Sequence, residues 1–280
     1  MKKMFLLFVT TTLFMMNSID SHAITLEDPD TPTSFNIEIL PWTMVNHIIP
    51  NRSIFTITDV ESGLQFTVQR RAGSKHADVQ PLTYKDTKIM KKIYNGKWSW
   101  KRRAILVGTN DQLLAASMHG MPHGAGALKN GFPGHFCVHF LGSTTHGSRH
   151  EDLSHKLMIL RAGGRLDAYL KAISPSQLLN VFEAAVNQGD YKTIKMIVEN
   201  GKKQKTLQKN LQRITVIRFD EKSLSVSEGK DDIISQQIHV NATVYTSDNR
   251  QKRKTLQLMF WRDIGTGQWK IDDEIAEELN

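Results

Sequence analysis

A single thiol sits in a crowd of imidazoles in this 280-residue chain. Cys137 is the only cysteine, and seven of the eleven histidines, His119, His123, His135, His139, His146, His150 and His155, lie between residues 119 and 155. A lone cysteine closes no intramolecular disulfide and excludes a multi-cysteine zinc finger. Residues 134–140 read Gly-His-Phe-Cys-Val-His-Phe, a strict alternation. As an extended strand, this puts Phe136, Val138 and Phe140 on a packing face and His135, Cys137 and His139 on the other. One face packs while the other is free to react.

A free thiol has a reference pKa of about 8.5, so little of it is thiolate near neutral pH. An adjacent imidazole that takes the proton activates it and later reprotonates the leaving group. Before the strand, Gly120, Gly124, Gly126, Gly131 and Gly134 permit close backbone approach and turns that aim N–H groups at an oxyanion. Metal is the rival chemistry. His119-x3-His123 and His135-x-Cys137-x-His139 offer donors that zinc accepts. Pro122, however, breaks a helical turn that would present His119 and His123 together, and no carboxylate lies between Asp111 and Glu151 to serve as base. The sequence therefore favours a nucleophilic cysteine with no metal or other cofactor. His146, His150 and His155 read as bystanders in a polar loop and the helix after it. Arg149 in that loop is a candidate for a substrate carboxylate, with His139 and His123 as supporting rings. Upstream, His76 and Asp78 pair an imidazole with an isolated carboxylate that could support the site.

The pattern resembles that of the L,D-transpeptidases, exported peptidoglycan cross-linking enzymes. These carry a His-Gly dipeptide at a strand end and, 14–17 residues on, a Ser/Thr-His-Gly-Cys segment. Here His119-Gly120 is followed by Gly134-His135-Phe136-Cys137-Val138-His139, so the His-x-Cys core matches. Gly134, Phe136 and His139 stand where the family carries Ser/Thr, Gly and usually Arg. The resemblance implies Cys137 as acyl-accepting nucleophile, His135 as its general base and His119 as a donor lining the acyl pocket. Gly120 and Gly134 would shape the oxyanion region.

These residues need elements to hold them. Ile54–Val60, the turn Glu61-Ser62-Gly63 and Leu64–Gln69 predict a hairpin. Thr83 with Asp86 three residues on predicts a capped helix over about 83–94. Ala104–Val107, an Asn110-Asp111 turn and Leu113–Met118 predict a second hairpin that delivers the chain to His119. At Ile173-Ser174-Pro175-Ser176 the composition breaks, with Ser174 as N-cap and Pro175 as first helical residue. Two amphipathic helices follow, one stopping at Gly189, the other capped by Asp190 and stopping at Gly201. Strands are then predicted at 214–219, 223–226, about 238–244, 256–260 and 268–271. The segment 173–280 resembles the cone-shaped domains of the nuclear transport factor two-like superfamily.

The expected class is thus α+β in two domains. A mostly-β, L,D-transpeptidase-like N-terminal domain (51–172) follows a leader and first strand (24–50), and a C-terminal domain of helices over a curved antiparallel sheet spans 173–280. Residues 1–23 read as a signal peptide: Lys2 and Lys3, an apolar Met4–Met16 stretch, and Ser21-His22-Ala23 before the cleavage point. An uncleaved anchor is the alternative. The formal charge is +8, and most of the basic excess lies before residue 172. An exported basic protein meets the anionic envelope before nucleic acid. Peptidoglycan or another anionic wall polymer is therefore the expected partner, in the wall or periplasm. Nucleic acid is not expected, membrane contact is limited to the signal peptide, and the C-terminal domain is a candidate homodimer contact. Eight Lys and Arg between Lys85 and Arg103, interleaved with Tyr84, Tyr94, Trp98 and Trp100, could face a glycan or serve as a solvated face. A zinc-dependent envelope hydrolase and a non-catalytic envelope-binding protein are the alternative functions.

Overall fold

A computed structural model describes residues 25–26, 35–109, 112–147, 149–226 and 234–279. The predicted signal segment 1–23 and the Asn110-Asp111 turn lie outside them. The fold is α+β. In chain order the N-terminal half contains β1 (Thr25–Leu26), β2 (Phe35–Glu38), α1 (Trp42–Ile48), β3 (Ile54–Asp59), β4 (Gln65–Ala72) and β5 (Ala77–Pro81). Then come α2 (Tyr84–Ile93), β6 (Arg102–Thr109), β7 (Gln112–His119), β8 (Phe136–His139) and α3 (Leu153–Ala162). The sheet runs β1-β2-β7-β6-β3-β4-β5-β8, and β8 also pairs with β7, which closes six of the strands into a barrel.

Both predicted hairpins form, as the antiparallel pairs β3/β4 and β6/β7. Helix α2 begins at the expected capping box, with the Thr83 hydroxyl accepting from the Asp86 N–H and the Asp86 carboxylate accepting from the Thr83 N–H. The barrel interior is filled by alternate residues of its strands, among them Ile57, Val68, Val79, Ile105, Phe136 and Val138, all buried. Removing side chains of this size from water contributes about 1.5–3 kcal/mol each. On the outer face, α3 packs Met158, Ile159 and Ala162 against Ala104 and Ala115.

The C-terminal half opens with α4 (Leu166–Ala172), α5 (Pro175–Gln188), α6 (Tyr191–Ile197) and α7 (Gln204–Arg213). The antiparallel sheet β12-β11-β10-β9 follows, from β9 (Ile214–Val226), β10 (Ser235–Thr246), β11 (Gln251–Arg262) and β12 (Trp269–Ile271), before the short α8 (Ile275–Glu278). Ser174 caps α5 in a capping box and Gly189 ends it in the left-handed conformation, as the sequence predicts. Helix α6 ends at Ile197, short of Gly201, because Val198 turns extended to bridge Ile271. The two strands expected at 214–219 and 223–226 are one strand whose pairing with β10 is irregular between His239 and Asn241. Leu178, Phe182, Ile217, Val240 and Leu258 share a core between the helices and this sheet. Among the described residues, no helix is long and apolar enough to cross a membrane.

Candidate functional site around Cys137

Strand β8 is the keystone of the site. It lies between β5 and β7, with Asp78 opposite Cys137 and Ser117 opposite His139. Facing residues of antiparallel strands point to the same side, so the barrel's outer face carries Asp78, Cys137, His139 and Ser117 while Phe136 and Val138 fill the inside. The alternation read from the sequence is therefore realised. The outer face is covered rather than open, however, and Cys137 is buried with only 2% of its surface exposed.

The imidazole at the thiol is that of His123. Its Nε2 lies 3.3 Å from the Cys137 Sγ, and its Nδ1 lies 3.1 Å from the Met121 carbonyl oxygen. An Nδ1–H donated to that carbonyl fixes the tautomer that leaves the Nε2 lone pair facing the thiol. The ring is placed there by an isolated bridge in which His123 and His135 exchange both backbone hydrogen bonds at 2.9 Å. This bridge folds the glycine-rich segment back over β8. Gly134 makes the fold possible: its φ is +120°, and a Cβ there would stand 2.5 Å from the His123 carbonyl oxygen.

His135, expected as the general base, is turned to the Asp78 carboxylate and not to the thiol. Its Nδ1 is 3.0 Å from the Ala125 carbonyl, and its buried Nε2 has no hydrogen-bond partner and sits 3.8 Å from the Asp78 Oδ1. A strand places residues i and i+2 on one face but leaves their rings pointing wherever neighbouring carbonyls pull them. His119 does reach the thiol, presenting a ring nitrogen within 4.8 Å of both the Cys137 sulfur and a His123 nitrogen. Burial is the main cause pushing its pKa down to about 3, so the ring is neutral. Half-exposed Trp100 lies over His119 and His123, with centroids 4.7 and 5.5 Å away.

Gly120 and Gly134 do not supply oxyanion donors. Their N–H groups donate to the carbonyls of Ser99 and Phe132, and the Cα of Gly120 backs onto the Tyr94 ring, where a Cβ would clash at 2.4 Å. His139 does not touch the thiol either. It is stacked between His76 and His155, at centroid distances of 4.6 and 3.8 Å. Burial, reinforced by neighbouring positive charge, lowers its pKa to about 2. Beneath it His155 is wholly buried, with Nδ1 2.9 Å from the Ser117 hydroxyl, and burial holds its pKa well below the usual imidazole value. Arg149 is exposed in left-handed backbone at φ 58°.

Asp78 is the electrostatic centre. Its Oδ1 stands 3.1 Å from His76 Nε2, 3.4 Å from His146 Nε2 and 3.6 Å from the Cys137 Sγ, which donates its proton to the carboxylate. Burial alone would raise the Asp78 pKa, but the hydrogen bond and charge of His76, with His135 and His146, hold it near 2. The same burial, together with the Asp78 charge, pushes the Cys137 thiol well above its ordinary range. The resting cysteine is thus a neutral thiol. His146, read as a bystander, belongs to the cluster, and the His76–Asp78 pair lies inside it. The sequence signal for Asp78 was only its isolation; strand register made it central. No protein-family profile, curated protein or solved structure matches the chain.

Proposed function

We propose that the chain is an exported cell-wall enzyme whose first unit, over residues 51–172, transfers acyl groups of peptidoglycan stem peptides through a Cys137 thioester. One observation carries this reading: the 3.3 Å contact between the Cys137 sulfur and a His123 Nε2 whose Nδ1 is pinned by the Met121 carbonyl. A nucleophile, a base and a group that orients the base are the minimum constellation for covalent catalysis by a thiol. The L,D-transpeptidase-like His-x-Cys motif supports the substrate class, and the basic, signal-led sequence supports the envelope as its place of work.

In the reaction, the S–H turns from the Asp78 carboxylate to the His123 Nε2 and its proton passes to that nitrogen as the sulfur bonds to a peptide carbonyl carbon. The neutral resting thiol requires that these two events be concerted, because the buried Asp78 carboxylate disfavours a preformed thiolate. His123 then gives the proton to the departing amine and the thioester remains. An incoming amine (cross-linking) or water (trimming) attacks the thioester, its proton returning through His123 to the sulfur. Trp100 over His119 and His123 offers an apolar wall for the substrate. Residues 173–280 form the accessory unit in this reading, with a homodimer contact as its role.

The test is intact-mass analysis after exposure to a carbapenem, with digested muropeptides as substrate. A single adduct on Cys137, abolished in Cys137→Ser and slowed in His123→Ala, is the expected result. Labelling no faster than that of a model thiol would remove the nucleophile.

A further inference from the structure

Three imidazoles around Cys137 are locked in the same way. His76, His123 and His135 each set Nδ1 against a backbone carbonyl, of Thr144, Met121 and Ala125, at 2.8, 3.1 and 3.0 Å. With Nδ1 so engaged, each ring turns its Nε2 inward. The Nε2 of His123 meets the thiol. That of His76 meets the Asp78 carboxylate at 3.1 Å and the His146 Nε2 at 2.9 Å, and that of His135 ends buried with no hydrogen-bond partner, 3.8 Å from the same carboxylate. In the metal-free protein a proton on the His76 Nε2 holds the carboxylate and the second imidazole together; a metal ion bonded to the same atoms would take its place.

The spacing suits a metal ion. Zinc bonds nitrogen and oxygen at about 2.0–2.2 Å and sulfur at about 2.3 Å, so tetrahedral donors stand roughly 3.3–3.7 Å apart. Four of the six edges here are 3.1 Å (His76–Asp78), 3.4 Å (His146–Asp78), 2.9 Å (His76–His146) and 3.6 Å (Cys137–Asp78). One donor atom from each of these four residues lies within 4.8 Å of the others. Carbonyl-braced histidine, carboxylate and thiolate are the donor set of a borderline-soft divalent cation, not of calcium or magnesium.

We propose that His76, Asp78, His146 and Cys137 form a binding site for a zinc-class divalent cation, and that its occupation switches acyl transfer off by engaging the thiol. The ion displaces the protons of the Cys137 thiol and the His76 Nε2 to solvent and bonds both atoms; no electron changes hands. Metal binding stands on the geometry alone, while the switch rests on the proposed function.

The experiment uses the full chain without a polyhistidine tag. Cobalt(II) titration should give one equivalent bound, with tetrahedral visible bands and a near-ultraviolet thiolate-to-cobalt band that Cys137→Ser abolishes. Asp78→Asn and the exposed-site variant His146→Ala should each weaken cobalt binding by about 10–100-fold. Saturating zinc should suppress alkylation of Cys137 by iodoacetamide, and a chelator should restore it. A cobalt complex lacking the thiolate band, or affinity that resists both substitutions and falls only in His123→Ala, would overturn the site. If the zinc-loaded chain processes muropeptides faster than the chelated one, the off-switch is overturned. Failure of the chelated protein to form a carbapenem adduct strikes the acyl-transfer reading alone and leaves the metal site standing.

Discussion

Replacing His155 with asparagine should flatten the acid sensitivity of the fold by an amount the structure sets. The His155 ring is 2% exposed, hydrogen-bonded through Nδ1 to Ser117 and stacked on His139. Burial holds its pKa well below 6.5 in the folded protein, whereas the unfolded chain titrates near 6.5. The native state therefore binds no proton here where the unfolded state does. Stability from this group is fully present above pH 6.5 and is lost as the pH falls below it. Each pH unit below 6.5 costs about 1.4 kcal/mol, so the loss at pH 5 is about 2 kcal/mol. Asparagine keeps an amide donor near the position of Nδ1 and does not titrate. Its loss of ring packing is the same at every pH, so the pH dependence isolates the proton. Urea unfolding followed by tryptophan fluorescence at pH 8 and pH 5 reads the effect. The stability gap between wild type and His155→Asn should shift by about 2 kcal/mol in favour of the variant at pH 5. Parallel pH profiles would refute the claim that burial keeps this ring neutral.

Three other outcomes are expected. His123→Ala should slow carbapenem acylation of Cys137 by about a hundredfold or more, the usual contribution of a general base, while His135→Ala slows it far less; the reverse order would move the base back to His135. Asp59→Asn should cost about 2–4 kcal/mol in urea or thermal unfolding, because the wholly buried carboxylate accepts from Arg103 at 2.6 and 2.7 Å and its loss strands that guanidinium. Gly134→Ala should cost about 1–3 kcal/mol through backbone strain at φ +120°. It should also slow acylation of Cys137, since a Cβ there pushes on the His123 carbonyl; unchanged acylation would show that the His123–His135 bridge does not place the base.

Much of the frame was legible because it is local. The β3/β4 and β6/β7 hairpins, the Thr83 and Ser174 capping boxes and the Gly189 stop follow from residues within one turn of each other. The face of Cys137 follows from a period of two, which needs no knowledge of the partner strand. The segment 204–213 escaped because its apolar residues are few; α7 buries only Leu207, Asn210 and Leu211. Burial of the reactive face escaped because the returning glycine-rich segment lays His123 over Cys137 and α3 lays His155 over His139, neither of which the alternation specifies.

What the sequence determined by itself is the chemistry in stock: one thiol, a surplus of imidazoles, and a strand that turns Cys137 away from the barrel's interior. Only the tertiary structure decided which imidazole serves the thiol. Closure of the barrel sets Asp78 opposite Cys137, and the return of the glycine-rich segment lays His123 over β8. Both are pairings between residues far apart in the chain. Side-chain spacing along one strand fixes a face, but register and closure between strands fix a neighbour, and proton transfer needs the neighbour.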